Sequence, residues 1–157
     1  MAKIFKFGPH LIPETQIFYK SPYCLGLVNL KPVVTGHVLV VTKRLAARFN
    51  DLTPEEATDM ILSTQKISSV IEKHYKASSL TFTIQDGPEA GQTVPHVHMH
   101  IIPRRKDDYE NNDDIYEDLD ENKQRQHNIP MGADNEDRKP RSAADMAEEA
   151  DRLRLLF

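Results

Sequence analysis

Three histidines alternate with apolar residues in the second half of the chain. Successive side chains of a β-strand point to opposite faces, so this spacing places His96, His98 and His100 on one face of a strand predicted over residues 96–102. A neutral imidazole can attack phosphorus as a nucleophile, while neighbouring histidines orient it and transfer protons at neutral pH. Histidines at this spacing also chelate zinc, but no obvious carboxylate or thiol at the strand ends completes such a site. A polar, solvent-facing sheet surface is the remaining interpretation.

The segment before this strand has the composition of an anion-binding loop. Residues 87–94 contain two glycines, which let the backbone approach a ligand closely and offer its N–H groups to an anion. Gln92 adds a side-chain donor that brings no charge to a phosphate oxygen. Gln85 ends a strand predicted over residues 80–85, which can pair with the histidine strand as a hairpin. A plain polar hairpin loop is the alternative interpretation of this segment.

The elements that must position these residues indicate an α+β domain with strands around one long helix. Apolar runs predict three further strands, over residues 17–19, 25–29 and 37–42. Thr53 is the expected N-cap of the helix, with Pro54 at its first position and Glu56 completing a capping box. The helix is expected to end near residues 75–77 and to bury one apolar stripe: Ala57, Met60, Ile61, Ile67, Val70 and Ile71. A last helix is expected to begin at Ser142.

Charge divides the chain into two parts. The 157 residues carry a formal net charge of −4, which argues against a protein that coats nucleic acid. Residues 1–106 hold 13 Lys/Arg and 8 Asp/Glu, a net charge of +5. We expect these residues, which include the histidine strand, to form the catalytic domain, and their positive charge suits an anionic substrate. Residues 107–140 show no periodicity and are expected to form an acidic, disordered loop. Residues 141–157 are expected to form a C-terminal helix that belongs to the same domain.

Composition also indicates the compartment. Cys24 is the single cysteine, which excludes an internal disulfide and favours a reducing compartment. The longest aliphatic run, residues 38–41, is far too short to span a membrane. Residues 1–13 carry charge and prolines and lack the apolar stretch of a signal peptide. We therefore expect a cytoplasmic protein, with the nucleus as a second location, that binds neither membrane nor nucleic acid.

Beyond these patterns, residues 96–102 resemble the signature of the histidine triad superfamily, in which His and apolar residues alternate. Five further segments resemble its fragile histidine triad branch, the dinucleoside polyphosphate hydrolases: residues 7–12, 28–34, 36–40, 79–82 and 85–94. The phosphoramidase-like branch usually ends in a Trp-containing motif, whereas this chain has no Trp. The resemblance implies a five-stranded, mainly antiparallel sheet with the long helix packed on it, a C-terminal helix, and a homodimer.

The resemblance also implies roles for four histidines. His98 matches the nucleophile, which attacks the α-phosphorus and becomes a nucleotidyl-histidine. His96 matches the first triad histidine, which helps to set the geometry and protonation of the site. His100 matches the last one, which lies at the phosphates and assists departure of the leaving group. His37 matches an upstream histidine that supports the triad from behind; by itself it is a satisfied strand-start histidine.

Substrate contacts follow from the same resemblance. The segment that contacts phosphate and substrate comprises Gln85, Gly91, Gln92, Thr93 and Val94. Asn29, which alone could be a strand-end cap, matches the ribose-binding position, and His10 matches a further substrate contact. The apolar walls around an adenine are Phe7, Leu27 and Leu39. A divalent cation, Mg²⁺ or Mn²⁺, is expected to assist the substrate without a tightly bound metal site in the protein.

Two alternative functions and one candidate modification site stay open at this point. Within the enzymes, the rival activity is hydrolysis of nucleoside phosphoramidates. Outside them, the protein could be a dinucleotide-sensing module whose bound complex matters more than turnover and whose acidic loop presents a partner surface. Tyr116 lies in the acidic context that tyrosine kinases favour, which makes it a candidate for phosphorylation.

Overall fold

A five-stranded antiparallel sheet forms the centre of the structure, a computed structural model that describes residues 3–119 and 140–157. The seven strands are β1 (Ile4–Phe7), β2 (His10–Pro13), β3 (Ile17–Lys20), β4 (Cys24–Val28), β5 (Val38–Thr42), β6 (Ser79–Thr83) and β7 (His98–Arg104). Strands β3 to β7 form the sheet in the order β3-β4-β5-β7-β6, and every neighbouring pair is antiparallel. The predicted α+β architecture is therefore confirmed.

Two strand boundaries near the histidines differ from the prediction. The histidine strand begins at His98, because the His96 N–H turns back to the Val94 carbonyl at 2.8 Å instead of joining the ladder. The Val97 N–H likewise donates to the Ala46 carbonyl, at 2.8 Å. The preceding strand ends at Thr83, so it does not include Gln85. The placement of all three triad histidines on one strand was thus wrong for His96.

The long helix begins as the capping box predicts. It is α1 (Pro54–His74), in which Thr53 Oγ1 accepts the Glu56 N–H at 3.1 Å and Glu56 Oε1 accepts the Thr53 N–H at 2.9 Å. Its buried face includes Met60, Ile67 and Ile71 together with the small polar residues Ser63, Thr64 and Ser68. The predicted stripe is wrong at Ile61, which is 53% exposed, since the small side chains let the helix lie close to the sheet at their positions instead.

The two faces of the sheet have different roles. Alternate residues of β5 and β7, Val38, Val40, Met99 and Ile101, form the main core with α1. The C-terminal helix, α3 (Ala143–Arg154), adds Met146, Ala150 and Leu153 to the same core and begins after the predicted cap, Ser142. The opposite face carries a second apolar cluster with Leu25, Leu27, Leu39 and Val41. No helix in residues 3–119 or 140–157 is long and apolar enough to cross a membrane.

A hairpin of β1 and β2 covers part of that second face, and the sequence did not predict it. Phe7 packs against the cluster, and the hairpin pairs with a register in which Phe7 lies opposite His10. The hairpin was missed because half of its strand residues are exposed and only Phe7 is buried, so the alternation that marks a half-buried strand is weak. Its position brings two predicted substrate contacts over the histidine strand.

Part of the expected disordered loop is ordered. Residues 112–119 contain a 3₁₀ turn and a short helix, α2 (Ile115–Leu119), whose two end residues are buried against Ile102 of β7. Arg104 also binds Asp108 through two hydrogen bonds, at 2.7 and 3.0 Å. The prediction of disorder was wrong for this part because a few apolar residues within an acidic stretch suffice to dock it. Residues 120–139 lie outside the described residues.

Candidate active site

His98 and His100 lie on the sheet face opposite α1. Their cross-strand partners are Val41 and Leu39 of β5, so both imidazoles point to the second apolar face. Both side chains are buried and line a pocket of about 860 Å³. Eleven of the fourteen predicted site residues line this pocket: Phe7, His10, Leu27, Asn29, His37, Leu39, Gln85, Thr93, Val94, His98 and His100. The other three, His96, Gly91 and Gln92, are not among the residues that line it.

A backbone carbonyl fixes the tautomer of His98. The ring Nδ1 lies 2.7 Å from the His96 carbonyl oxygen, which can only accept, so Nδ1 carries the proton and donates it. The lone pair of the neutral ring therefore resides on Nε2. The Phe7 ring meets the imidazole edge-on at a centroid distance of 4.9 Å and limits its rotation. His98 thus presents a nucleophilic nitrogen in a fixed orientation.

A second chain of hydrogen bonds sets His100. The Val33 N–H donates to His37 Nδ1 at 3.1 Å, which leaves the His37 proton on Nε2. His37 Nε2 lies 2.9 Å from His100 Nδ1 and donates to it, so the neutral His100 ring carries its own proton on Nε2. That buried Nε2 has no hydrogen-bond partner among the described residues. A buried donor without a partner is costly, and a phosphate oxygen would satisfy it.

His96 acts from the loop that precedes β7. The Gly8 N–H donates to its Nδ1 at 3.0 Å, so Nε2 carries the proton and donates to the Thr42 carbonyl at 2.8 Å. The ring is fully buried and connects the β1–β2 hairpin to the end of β5. Its own carbonyl is the acceptor that orients His98. His96 therefore shapes the site through its backbone and its packing.

Asn29 follows β4 and lies against His37. Its Nδ2 is 3.2 Å from each ring nitrogen of His37, and its Oδ1 accepts the Lys31 N–H at 3.1 Å. The carboxamide is half-buried at the pocket wall, where further donor and acceptor capacity remains for a ligand. The strand predicted over residues 25–29 thus ends one residue earlier, at Val28, and the contact of Asn29 with His37 was not predicted.

The loop before the histidines is held by its own hydrogen bonds. The Gln92 carboxamide accepts the Gly87 N–H at 2.7 Å and donates to the carbonyls of Ala47 and Val94, at 2.8 and 3.0 Å. The N–H groups of residues 90, 91 and 92 donate to carbonyls of residues 87 and 88. Gly91 and Gln92 therefore maintain the shape of the loop in this structure. The pocket wall itself receives Thr93 and Val94 from this segment.

Burial favours the neutral form of His96, His98 and His100. Desolvation lowers the pKa of His98 below its ordinary value and lowers that of His100 further, with the nearby His37 and His98 adding to the effect. The pKa of His96 is lowered as well, again mainly by burial. At neutral pH the lone pair of His98 is consequently free of a proton, as nucleophilic attack requires.

Other chemistry has less support in the described ranges. Residues 3–119 and 140–157 hold no cluster of three or more His, Cys, Asp or Glu that could bind a metal, so the zinc interpretation is not supported. The pocket wall includes Lys31 and no carboxylate among its described residues. Cys24 is buried in the main core, and burial raises the pKa of its thiol to about 12, which leaves it unreactive.

Several contributors to the site could not be recognised in the sequence. The backbone N–H groups of Gly8 and Val33 set the histidine tautomers, but a backbone donor leaves no residue-type signal. Leu119 of α2 and Met146 of α3 complete the pocket wall. The sequence signal for them is an apolar residue isolated among acidic neighbours, since such residues usually pack against another part of the fold.

The chain matches a family model and several known proteins over much of its length. The HIT domain model matches residues 12–107. The chain belongs to the HIT family. It is 50% identical over 151 residues to the bis(5'-adenosyl)-triphosphatase of Dictyostelium discoideum, covering 96% of this chain and 91% of that protein. It is 48% identical over 153 residues to a bifunctional bis(5'-adenosyl)-triphosphatase/adenylylsulfatase of Arabidopsis thaliana, covering 98% and 84%.

Solved structures of HIT proteins share the fold. The Plasmodium falciparum diadenosine triphosphate hydrolase superposes with a TM-score of 0.76 at 29% identity, covering 99% of this chain and 85% of that one. The Caenorhabditis elegans NitFhit protein superposes with a TM-score of 0.77 at 40% identity, covering 98% of this chain and 30% of that longer chain. The resemblance to the fragile histidine triad branch of the HIT family is therefore confirmed.

The lowered pKa of His98 predicts a specific pH profile for this HIT protein. The neutral nucleophile persists in mildly acidic solution, so kcat/KM on diadenosine triphosphate should be constant near neutrality and should fall with a midpoint below 6.5, the ordinary value of histidine. Replacing Phe7 by Ala uncovers the ring and should move the midpoint upward. A midpoint at or above 6.5 in the unmodified protein would show that burial does not govern the nucleophile.

Proposed function

We propose that this protein hydrolyses dinucleoside polyphosphates, with diadenosine triphosphate converted to AMP and ADP. The observation that carries the proposal is the orientation of His98: its Nδ1–H is bound to a backbone carbonyl, and its Nε2 lone pair belongs to a ring that lines the pocket. The names of the relatives at about 50% identity support the same substrate class.

The reaction comprises two displacements at the α-phosphorus. In the first, the Nε2 lone pair of His98 forms an N–P bond as the bond from phosphorus to the bridging oxygen breaks, and ADP leaves with that electron pair. The positive charge that develops on the ring is stabilised by the Nδ1–H donated to the His96 carbonyl. In the second, water attacks the same phosphorus, the N–P electron pair returns to Nε2, and AMP is released with loss of the water proton.

His100 serves the phosphates in both steps. Its Nε2–H donates a hydrogen bond to a phosphate oxygen, which becomes the acceptor that the described residues do not supply. A nucleoside diphosphate is a stable anion, so its departure is assisted by such a bond and needs no complete proton transfer. His37, which donates to the other ring nitrogen, holds His100 in the tautomer that can do this.

The remaining residues of the pocket suit the nucleoside. We assign the ribose hydroxyls to Asn29 and a further substrate contact to His10, with Phe7, Leu27 and Leu39 as the apolar wall for adenine. Gln85, Thr93 and Val94 would contact the phosphate side. Gly91 and Gln92 support this side through the shape of the loop.

A divalent cation is proposed to arrive with the substrate. Mg²⁺ or Mn²⁺ neutralises polyphosphate oxygens, whereas the pocket wall offers no carboxylate among its described residues and the described ranges contain no metal-binding cluster. The side chains present do not suit a resident metal, so no step of the reaction is assigned to one.

We also propose a homodimer that forms through the β6 edge of the sheet. The other edge, β3, is covered by the C-terminal region: Arg154 Nη2 donates to the Ile17 carbonyl at 2.8 Å, and the Phe157 ring packs on Phe18 and Tyr19. β6 is the opposite edge strand and bears Phe82, which is 46% exposed. An open edge with an exposed aromatic residue favours pairing with a second copy.

A cytoplasmic location, with the nucleus as a second compartment, completes the proposal. The single cysteine is buried and reduced, which supports a compartment where thiols persist.

Substrate comparison tests the assigned reaction. We expect kcat/KM for diadenosine triphosphate to exceed that for an adenosine phosphoramidate by at least about tenfold, because the second nucleotide adds contacts in the transition state. The measurement is steady-state kinetics with both compounds and diadenosine tetraphosphate under one set of conditions. A preference for the phosphoramidate would reassign the protein to that activity, and negligible turnover with a long-lived complex would favour a sensing role.

The nucleophile is tested by His98→Asn. The substitution should lower kcat by about a thousandfold or more while the protein still binds substrate, because the covalent step is lost. Quenching the unmodified enzyme during turnover with an alkaline denaturant, in which the N–P bond is stable, should trap AMP on the peptide that contains His98. His74→Asn, an exposed histidine on α1, is the matched control and should retain activity. Activity of His98→Asn near that of the control would contradict the mechanism.

The dimer is tested at the edge strand. The chain mass is 18.0 kDa, so light scattering should give twice this value for the unmodified protein. Phe82→Glu places a charge on the proposed interface and should shift the protein to the monomer mass at equal concentration. Tyr23→Glu, a similarly exposed aromatic residue between β3 and β4 at the other side of the sheet, should leave the mass unchanged. Equal masses for the unmodified protein and Phe82→Glu would argue against this interface.

A further inference from the structure

The C-terminal region reaches the turn that carries Asn29. Arg141 lies directly before the cap of α3, and its backbone N–H donates to the Leu30 carbonyl at 3.0 Å. Its Nη1 donates to the Asn29 carbonyl at 3.2 Å. Arg141 thus binds two consecutive carbonyls at the pocket wall. These contacts fix the position of the Asn29 backbone, from which its side chain extends.

Arg141 is itself held in place by Glu149, two turns further along α3. Nη1 donates to Glu149 Oε1 at 2.8 Å, and Nη2 donates to the Asp145 carbonyl at 3.3 Å. Glu149 is only 5% exposed, so its carboxylate depends on these donors and on the Tyr75 hydroxyl, which donates to the other oxygen. Movement of the guanidinium would leave a buried charge short of a partner, which is strongly unfavourable.

Tyr75 connects the same network to the other end of the turn. Its ring packs against Gly36, where an added Cβ would lie 2.7 Å from Tyr75 Cδ2 and where φ is +92°. Gly36 directly precedes His37, the donor to His100. Arg141, Glu149 and Tyr75 therefore form a clamp, which holds residues 29 and 36 at the two ends of one segment.

We propose that Arg141 is a positioning residue for ribose recognition, acting through the Asn29 backbone, with Glu149 and Tyr75 as the remainder of the clamp. Hydrogen bonds weaken steeply when distance and angle depart from their optimum, so an Asn29 carboxamide that is displaced by loss of the clamp would bind the ribose hydroxyls poorly. This inference rests on the proposed function, because that function assigns the ribose to Asn29. Arg141 itself is not among the described residues that line the pocket.

The test compares two ligands that differ only at the ribose. Isothermal titration calorimetry measures the affinity of the full chain for AMP and for 2',3'-dideoxyadenosine 5'-monophosphate, and the ratio reports ribose recognition alone. The variants are Asn29→Ala, Arg141→Ala and the double variant. Arg152→Ala is the matched control, since Arg152 binds Glu148 at 2.8 Å on the same helix, with both side chains more than half exposed.

The unmodified protein should prefer AMP. Asn29→Ala should lower that preference by about fivefold, the value expected for the loss of a neutral hydrogen bond. Arg141→Ala should lower the preference for AMP to a similar extent. The double variant should show no further loss, because both changes remove the same contact between Asn29 and the ribose. Arg141→Lys, which keeps the charge but not the fork of donors, should fall between, and Arg152→Ala should leave the ratio unchanged.

Several outcomes would overturn the proposal. If Arg141→Ala or Asn29→Ala keeps the ratio of the unmodified protein, or if their losses add in the double variant, Arg141 does not act through Asn29. General loosening of α3 would weaken both ligands equally and leave the ratio intact, which also counts against positioning. Turnover of diadenosine triphosphate is measured separately on the unmodified protein, so failure of the hydrolase assignment is distinguished from failure of the clamp.

Discussion

Backbone hydrogen bonds decide where the protons of the buried histidines lie, and the chemistry of the pocket depends on that choice. The Gly8 and Val33 N–H groups can only donate, while the His96 carbonyl can only accept. Each contact removes one of the two tautomers available to a neutral imidazole. The result is a base at His98 Nε2 and a donor at His100 Nε2, in rings that line the same pocket.

Burial and charge reinforce this arrangement. A desolvated imidazole stays neutral at neutral pH, so the tautomers persist instead of being erased by a second proton. The excess of basic residues over residues 1–106 and the lack of a carboxylate in the described pocket wall suit an anionic ligand. The apparent acidity of the whole chain comes from residues after 106, which contribute only Leu119 and Met146 to the described wall.

The sequence predicted features whose signal is local and periodic. The capping box predicted the start of α1. Alternation along β7 predicted that His98 and His100 lie on one face of the sheet and Met99 and Ile101 on the other. It could not predict what depends on contacts between distant residues. His96 leaves the strand because its backbone bonds to a neighbouring carbonyl, and α2 orders because two apolar residues find a buried site on β7. Likewise, no pattern within α3 reveals that Arg141 binds the turn after β4.

The pocket wall joins opposite ends of the described chain. Phe7 of the first hairpin and Met146 of the last helix both line it, although about 140 residues of sequence separate them. During synthesis on the ribosome, the histidine strand emerges well before α3. His98 is therefore present in the growing chain while the pocket still lacks the part of its wall that α3 supplies. The pocket wall is complete only once α3 has been synthesised as well.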